Sequence, residues 1–147
     1  MNTLVTDIVI AAPPEAVWEV LVDLRSYAEW NPFIVEARGR VQRGGALRLR
    51  MAPPGGRAVT LKPRLTVVVE AEILEWVGSV GFPGLFSGRH RFELHRTKNG
   101  THLVQRETFS GALVPFLAGS LNAHTLPGLV SMNDALKQRS ERAVLAS

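Results

Sequence analysis

The chain has 147 residues, 46% of them apolar, no cysteine and a formal net charge of +4 at pH 7. That length suits one domain spanning 1–147 with a single substantial core. The composition excludes a disordered chain, disulfide or thiolate chemistry and, with no long apolar run, a membrane-spanning helix.

Residues 3–10 alternate as a short strand. Pro13-Pro14-Glu15 opens a helix, with proline in the first turn and an acid near the positive end of the dipole. Val17, Val20, Leu21 and Leu24 form its apolar stripe, with Trp18 beside it as core. Ser26 to Pro32 reads as a short aromatic turn or helix ended by Pro32, placing Tyr27, Trp30 and Phe33 to plug one end of the fold. Strands are expected over 34–42, 46–53, 58–70 and 72–80, and Pro63 predicts a bend or an edge position in the third.

From Arg38 to Arg64 there are eight basic residues and no acidic one. Arg38, Arg40, Arg48, Arg50, Lys62 and Arg64 alternate with apolar residues, which projects them from one face of neighbouring strands. Such a face attracts anionic lipid, nucleic acid or an acidic partner. The stretch lacks the interleaved aromatics of a nucleic-acid surface. The simpler reading is a solvated outer face, balanced by Glu70, Glu72 and Glu75.

Gly81 to Gly84 leads into the most informative segment, a β-hairpin from Phe86 to Gly111 with Asn99-Gly100 as its turn signal. Phe86, Gly88, His90, Phe92 and Leu94 share one face of the first strand. Leu103, Gln105, Glu107 and Phe109 share one face of the second. A two-residue Asn99-Gly100 turn sets His90 opposite Phe109 and Phe92 opposite Glu107; a slightly longer turn slips the register by two and sets His90 across from Glu107. In both registers an imidazole, an amide and a carboxylate lie among aromatic neighbours. A dry core tolerates such groups only when they pair or meet water, so they point to the lining of an internal cavity.

After Gly111 the period becomes helical. Leu113 to Leu121 forms a first segment, and Thr125-Leu126-Pro127 reads as a restart with Thr125 as its cap. Pro127-Gly128 predicts a break or kink. The order of elements is strand, helix, six antiparallel strands and a long helix. It gives an α+β layout with a curved sheet wrapped around the last helix. Trp76, Phe86, Phe92 and Phe109 from the sheet are expected to meet Phe116, Leu121, Leu129, Met132 and Leu136 from the helix. Packed tightly they are core; around a void they bind an apolar ligand.

These segments resemble a known superfamily. A short strand, then APPEAVWEVLVDLRSYAEWNPFI, GLFSGRHRFEL, HLVQRETFSG and a final MNDALKQR helix are similar to SRPBCC proteins. This is the START-like, birch-pollen-allergen-like (Bet v 1-like) group that includes polyketide cyclase/dehydrase-type proteins. The Trp30-Asn31-Pro32 turn and the Phe86–Gly111 hairpin are the most specific parts. The resemblance implies a helix-grip fold, in which a seven-stranded antiparallel sheet grips the C-terminal helix around a deep cavity. It also implies binding of lipids, sterols or polyketides. The oxygenase members' iron–sulfur domain and His/His/carboxylate iron site have no counterpart here.

The leading expectation is therefore a binding protein for a hydrophobic small molecule. His90, Gln105 and Glu107 orient the ligand, and Trp30 joins the apolar groups around it. One alternative is a cofactor-independent cyclase or dehydratase with His90 and Glu107 as its acid–base pair. The other is an interaction module docking on an anionic membrane or acidic protein through the basic face. No HExxH, CxxC, Walker A, GxGxxG or nucleophile-elbow pattern occurs, so neither cofactor nor metal is expected. His95 and His102 lie on the opposite face, where two imidazoles alone make a weak metal site. Ser87 and Ser110 read as turn residues, and Asn133 either offers an amide to the cavity or faces solvent. The N-terminus has no signal-peptide pattern, and the lack of cysteine fits a cytoplasmic home. Monomer and homodimer are equally compatible with the pattern.

Overall fold

In the computed structural model, which describes residues 2–147, period-two and period-3.6 segments separate cleanly along the chain. Strand β1 (Asn2–Ile10) leads to α1 (Pro14–Val22), a 3₁₀ turn (Leu24–Ser26) and the single-turn α2 (Tyr27–Trp30). Strands β2 (Ile34–Gly39), β3 (Leu47–Met51), β4 (Val59–Leu61), β5 (Arg64–Val69), β6 (Ile73–Val80), β7 (Phe86–Thr97) and β8 (Gly100–Ser110) follow. Helix α3 (Val114–Ala146) closes the chain. All strand pairings are antiparallel, in a five-stranded sheet ordered β1-β8-β7-β6-β5 and a three-stranded sheet ordered β2-β3-β4. The Ala46–Arg64 bridge and a backbone bond from Leu47 N–H to the Pro63 carbonyl connect the two.

This is the helix-grip layout, with eight strands where the sequence suggests seven. The extra strand arises at Pro63. Proline has no N–H to donate, and the long 58–70 run is divided around Lys62-Pro63 into β4 and β5.

The expected break at Pro127-Gly128 does not occur. Helix α3 runs unbroken for 33 residues with Pro127 inside it, and Thr125 is an interior residue rather than a cap. Gly128 is instead a packing device. It is buried, and a Cβ there would stand 2.5 Å from a ring carbon of Phe33, so glycine lets α3 approach the aromatic end of the fold.

Leu65, Leu74, Phe92 and Leu103 of the large sheet share one buried cluster with Leu129, Met132 and Leu136 of α3. Each such side chain contributes about 1.5–3 kcal/mol on leaving water. Of the three aromatics expected together, Tyr27 and Phe33 are buried and Trp30 is partly buried against the same core; the Tyr27 hydroxyl donates to the Leu21 carbonyl at 2.5 Å. Burial, with Asp23 nearby, pushes that hydroxyl's pKa up. At the far end of α3, Glu141 accepts a 2.8 Å bond from the Ala11 backbone and pairs with Lys137, tying the helix to the β1–α1 turn.

Candidate functional site: a polar chain ending at a cavity

The hairpin adopts the second of the two registers, pairing His90 with Glu107 and Phe92 with Gln105. The turn is not longer than two residues, as that register was expected to require: the loop is Lys98 and Asn99, neither with a positive φ, and Gly100 is the first residue of β8. A Cβ at Gly100 would lie 2.1 Å from the Ile10 carbonyl oxygen. The glycine thus serves a close backbone approach, not the turn geometry that an Asn-Gly pair suggests, and the pairing slips by two residues.

A chain of polar contacts crosses the core from this pair. His90 Nδ1 lies 3.0 Å from Glu107 Oε2, and Nε2 lies 2.7 Å from Gln105 Oε1. Gln105 Nε2 donates to Asn133 Oδ1 at 2.6 Å and to the Leu129 carbonyl at 3.3 Å. Asn133 Nδ2 donates in turn to Thr6 Oγ1 at 2.9 Å. His90, Gln105 and Asn133 are each at most 2% exposed. Trp76 and Phe92 flank the imidazole, with ring centroids 4.9 and 4.6 Å away. Burial of so many polar groups is tolerable because they satisfy one another.

One atom breaks the pattern. Glu107 Oε2 is buried and has no hydrogen-bond donor among the described residues. It lies 3.0 Å from His90 Nδ1 without a hydrogen bond between them. The Glu107 side chain is 13% exposed, on the wall of a cavity of about 70 Å³.

Trp76, Phe86 and Phe109 give that cavity its aromatic walls, with Met51 and Leu61 of the small sheet and the adjoining Lys62 closing it. Gly78 and Gly88 are direct cross-strand partners on the lining face, leaving the wall beside the carboxylate bare. A Cβ at Gly88 would come within 3.0 Å of Glu107 Oε1. Glycines inside strands commonly mark such an approach, and these two are the sequence signal that side-chain alternation alone misses.

The structure brings part of the candidate set together at this cavity. Trp76, Phe86, His90, Glu107 and Phe109 line the cavity, while Phe92 and Gln105 stand behind His90, fully buried. Leu129, Met132 and Leu136 are core on α3 and not cavity wall, and Leu121 is partly buried against that core. Trp30 packs edge-on to Tyr27 at 5.1 Å, away from the cavity. Phe116 is 83% exposed rather than inward-facing. The chain just before it is bonded to the β6–β7 loop, through Ala112 to Gly84 and Leu113 to Leu85, and in the first turn of α3 it is Val114 that enters the core. Asn133 and Thr6 complete the polar chain; a lone threonine in a strand gives no warning of it.

Elsewhere, Glu75 does not balance the basic stretch. It is 5% exposed and is held by Arg91 at 2.9 Å, Arg89 at 4.0 Å and the Thr66 hydroxyl at 2.8 Å. Among the described residues none of the eight basic side chains from Arg38 to Arg64 joins an ion pair. Two larger clefts, of about 630 and 360 Å³, adjoin β2 and lie apart from the polar chain, with charged residues in their walls. His95 and His102 are cross-strand partners at the surface, and His102 pairs with Asp7 at 2.7 Å.

The family described as polyketide cyclase/dehydrase and lipid transport matches residues 1–141. The chain belongs to this family. No curated protein matches it. Among solved structures it is similar to the Zhui aromatase/cyclase of Streptomyces sp. R1128, at 21% identity and a TM-score of 0.78 over 97% of this chain and 95% of that one. A START superfamily protein of Mycobacterium smegmatis gives 21% identity and a TM-score of 0.70 over 97% and 99%. The di-domain aromatase/cyclase StfQ of the steffimycin pathway gives 14% and 0.67, over 94% of this chain and 51% of that one. At such identities these likenesses establish the fold of a polyketide cyclase/dehydrase family member, and the chemistry rests on its own residues. No helix of the described residues is long and apolar enough to cross a membrane.

Proposed function

We propose that this polyketide cyclase/dehydrase family protein binds a hydrophobic small molecule between the two sheets and orients it through His90 and Glu107. The observation that carries this reading is the donorless Glu107 Oε2 on the wall of an aromatic cavity. A buried carboxylate oxygen without a donor is costly, and a ligand hydroxyl or amide hydrogen relieves the cost. The cavity of about 70 Å³ is small beside the roughly 300–1,000 Å³ of pockets that enclose drug-sized molecules. It admits the polar end of a ligand, and a larger body requires the rim to move. The rim residues Val80 and Phe86 flank a loop in which Gly81 and Gly84 hold φ of 76° and 85° around the exposed Phe82. Native mass spectrometry of the purified protein, with extraction of co-purifying molecules, tests the reading. An apolar adduct lost on Glu107→Ala supports it; a protein that neither carries nor takes up an apolar ligand refutes it.

The 3.0 Å approach of His90 Nδ1 to Glu107 favours a second reading, acid–base catalysis of an aldol-type cyclisation or dehydration. Turnover that depends on both residues distinguishes it from binding alone. The unpaired basic face favours a docking role for an anionic surface, tested by salt-sensitive pelleting with acidic liposomes that Arg48→Glu/Arg50→Glu abolishes.

A further inference from the structure

The polar chain has a direction, set by a backbone atom. The Leu129 carbonyl can only accept, so the Gln105 group 3.3 Å from it is the amide N–H₂. The Gln105 oxygen is then turned toward His90, 2.7 Å from Nε2. A carbonyl oxygen only accepts, so Nε2 carries the hydrogen. Asn133 holds the same order, accepting from Gln105 and donating to Thr6. His90 Nδ1 is the nitrogen beside Glu107, and Glu107 lines the cavity whereas Gln105 does not.

We infer that Gln105 and Asn133 are positioning residues that commit Nε2–H of His90 to the protein and leave Nδ1, beside Glu107, to accept a proton from a ligand. This deepens the proposed binding function and rests on it for the ligand, while the nitrogen assignment is a property of the protein alone. The site is thereby an acceptor of hydrogen bonds, made by Nδ1 and Glu107 Oε2, and it selects molecules that bring an O–H to that corner. The charged groups at this wall are Glu107 itself and Lys62 at the rim. In the proton transfer the ligand O–H bond breaks, a new N–H bond forms at Nδ1, and the ligand oxygen keeps the electron pair.

Two measurements test this on the full chain. With ¹⁵N-labelled histidine at alkaline pH, where the ring holds one proton, the NMR signal of His90 Nε2 should show the one-bond coupling to hydrogen and Nδ1 none. Gln105→Leu, with Gln105→Ala as a second variant, removes the oxygen facing Nε2 and should move His90 toward a mixture of tautomers without unfolding the protein. The proton found on Nδ1 in the wild type, or a tautomer ratio untouched by a folded variant, overturns the inference. In the second measurement 2-naphthol and 2-methoxynaphthalene are titrated in parallel. The hydroxyl compound should bind roughly tenfold or more tightly, because its ether cannot donate. Equal binding overturns the acceptor assignment and leaves the cavity reading standing. Binding by neither compound removes the cavity reading, and the NMR spectrum still decides the nitrogen.

Discussion

The two faces of the β7–β8 hairpin solve the same problem in opposite ways. On the outer face charges are packed together and answered. Glu75 and Arg91 are register partners, Glu93 takes Arg91 at 2.8 Å and Arg106 at 3.4 Å, and Arg89 leans over Glu75. On the inner face the polar groups are fewer and more deeply buried, and they form a line rather than a closed cluster. That line is satisfied from Thr6 through Asn133 and Gln105 to His90, and it ends at Glu107 with one oxygen lacking a donor. The outer cluster closes on itself, whereas the inner line ends open at the cavity wall.

Breaking the end of the inner line should give the largest effect. Glu107→Gln is nearly isosteric, so the fold is expected to persist with a change in unfolding free energy below about 1 kcal/mol. Any turnover in which the His90–Glu107 pair moves a ligand proton should fall about 10²–10⁴-fold in steady-state assays. Breaking the middle of the line should trade function for stability. Gln105→Leu leaves His90 Nε2–H, Asn133 Oδ1 and the Leu129 carbonyl without their partner, an expected loss of about 2–4 kcal/mol in urea unfolding. On the outer face Glu75→Gln removes the carboxylate from Arg91 and weakens the Thr66 bond. A loss of about 1–2 kcal/mol is expected there, with ligand affinity unchanged by calorimetry. A fall in affinity equal to that of Glu107→Gln would erase the distinction between the two faces.

Period-two alternation was enough to put His90, Gln105 and Glu107 together, because a strand offers a side chain only two faces. The register was not legible. It depends on Gly100 meeting the Ile10 carbonyl, a contact between elements some ninety residues apart in sequence (positions 10 and 100), which no local turn rule contains. The same holds for Gly128, whose partner Phe33 lies across the fold and whose adjoining proline suggests a helix end. Phe116 shows the reverse error. Its helical apolar neighbourhood reads as core, but Val114 takes the inward position of that turn and Phe116 is left exposed. The cavity was partly legible in Gly78 and Gly88, two glycines inside strands. Their meaning appears only once the register makes them partners.

The smallest expected effect concerns how the outer cluster responds to acid. Burial pushes the Glu93 carboxyl upward, but the Arg91 hydrogen bond, the charge of Arg106 and contacts from His95 and Arg106 outweigh it. The net result holds Glu93 below its usual carboxylate range. A carboxylate with a depressed folded pKa stabilises the fold fully above its unfolded value, about 4.3 for glutamate. That contribution is lost as the pH falls through the lower folded value. Glu93→Gln removes the titration, so the variant should be less stable than the wild type at neutral pH. The gap should close below about pH 4 in a series of urea melts. The inner face predicts a different signature, because Glu107→Gln should alter ligand affinity at neutral pH while Glu93→Gln leaves it alone. A Glu93→Gln gap that stays constant into acid would show that the outer charges hold the hairpin by packing rather than by ionisation. The contrast between a closed ionic cluster and an open polar line would then rest on the inner face alone.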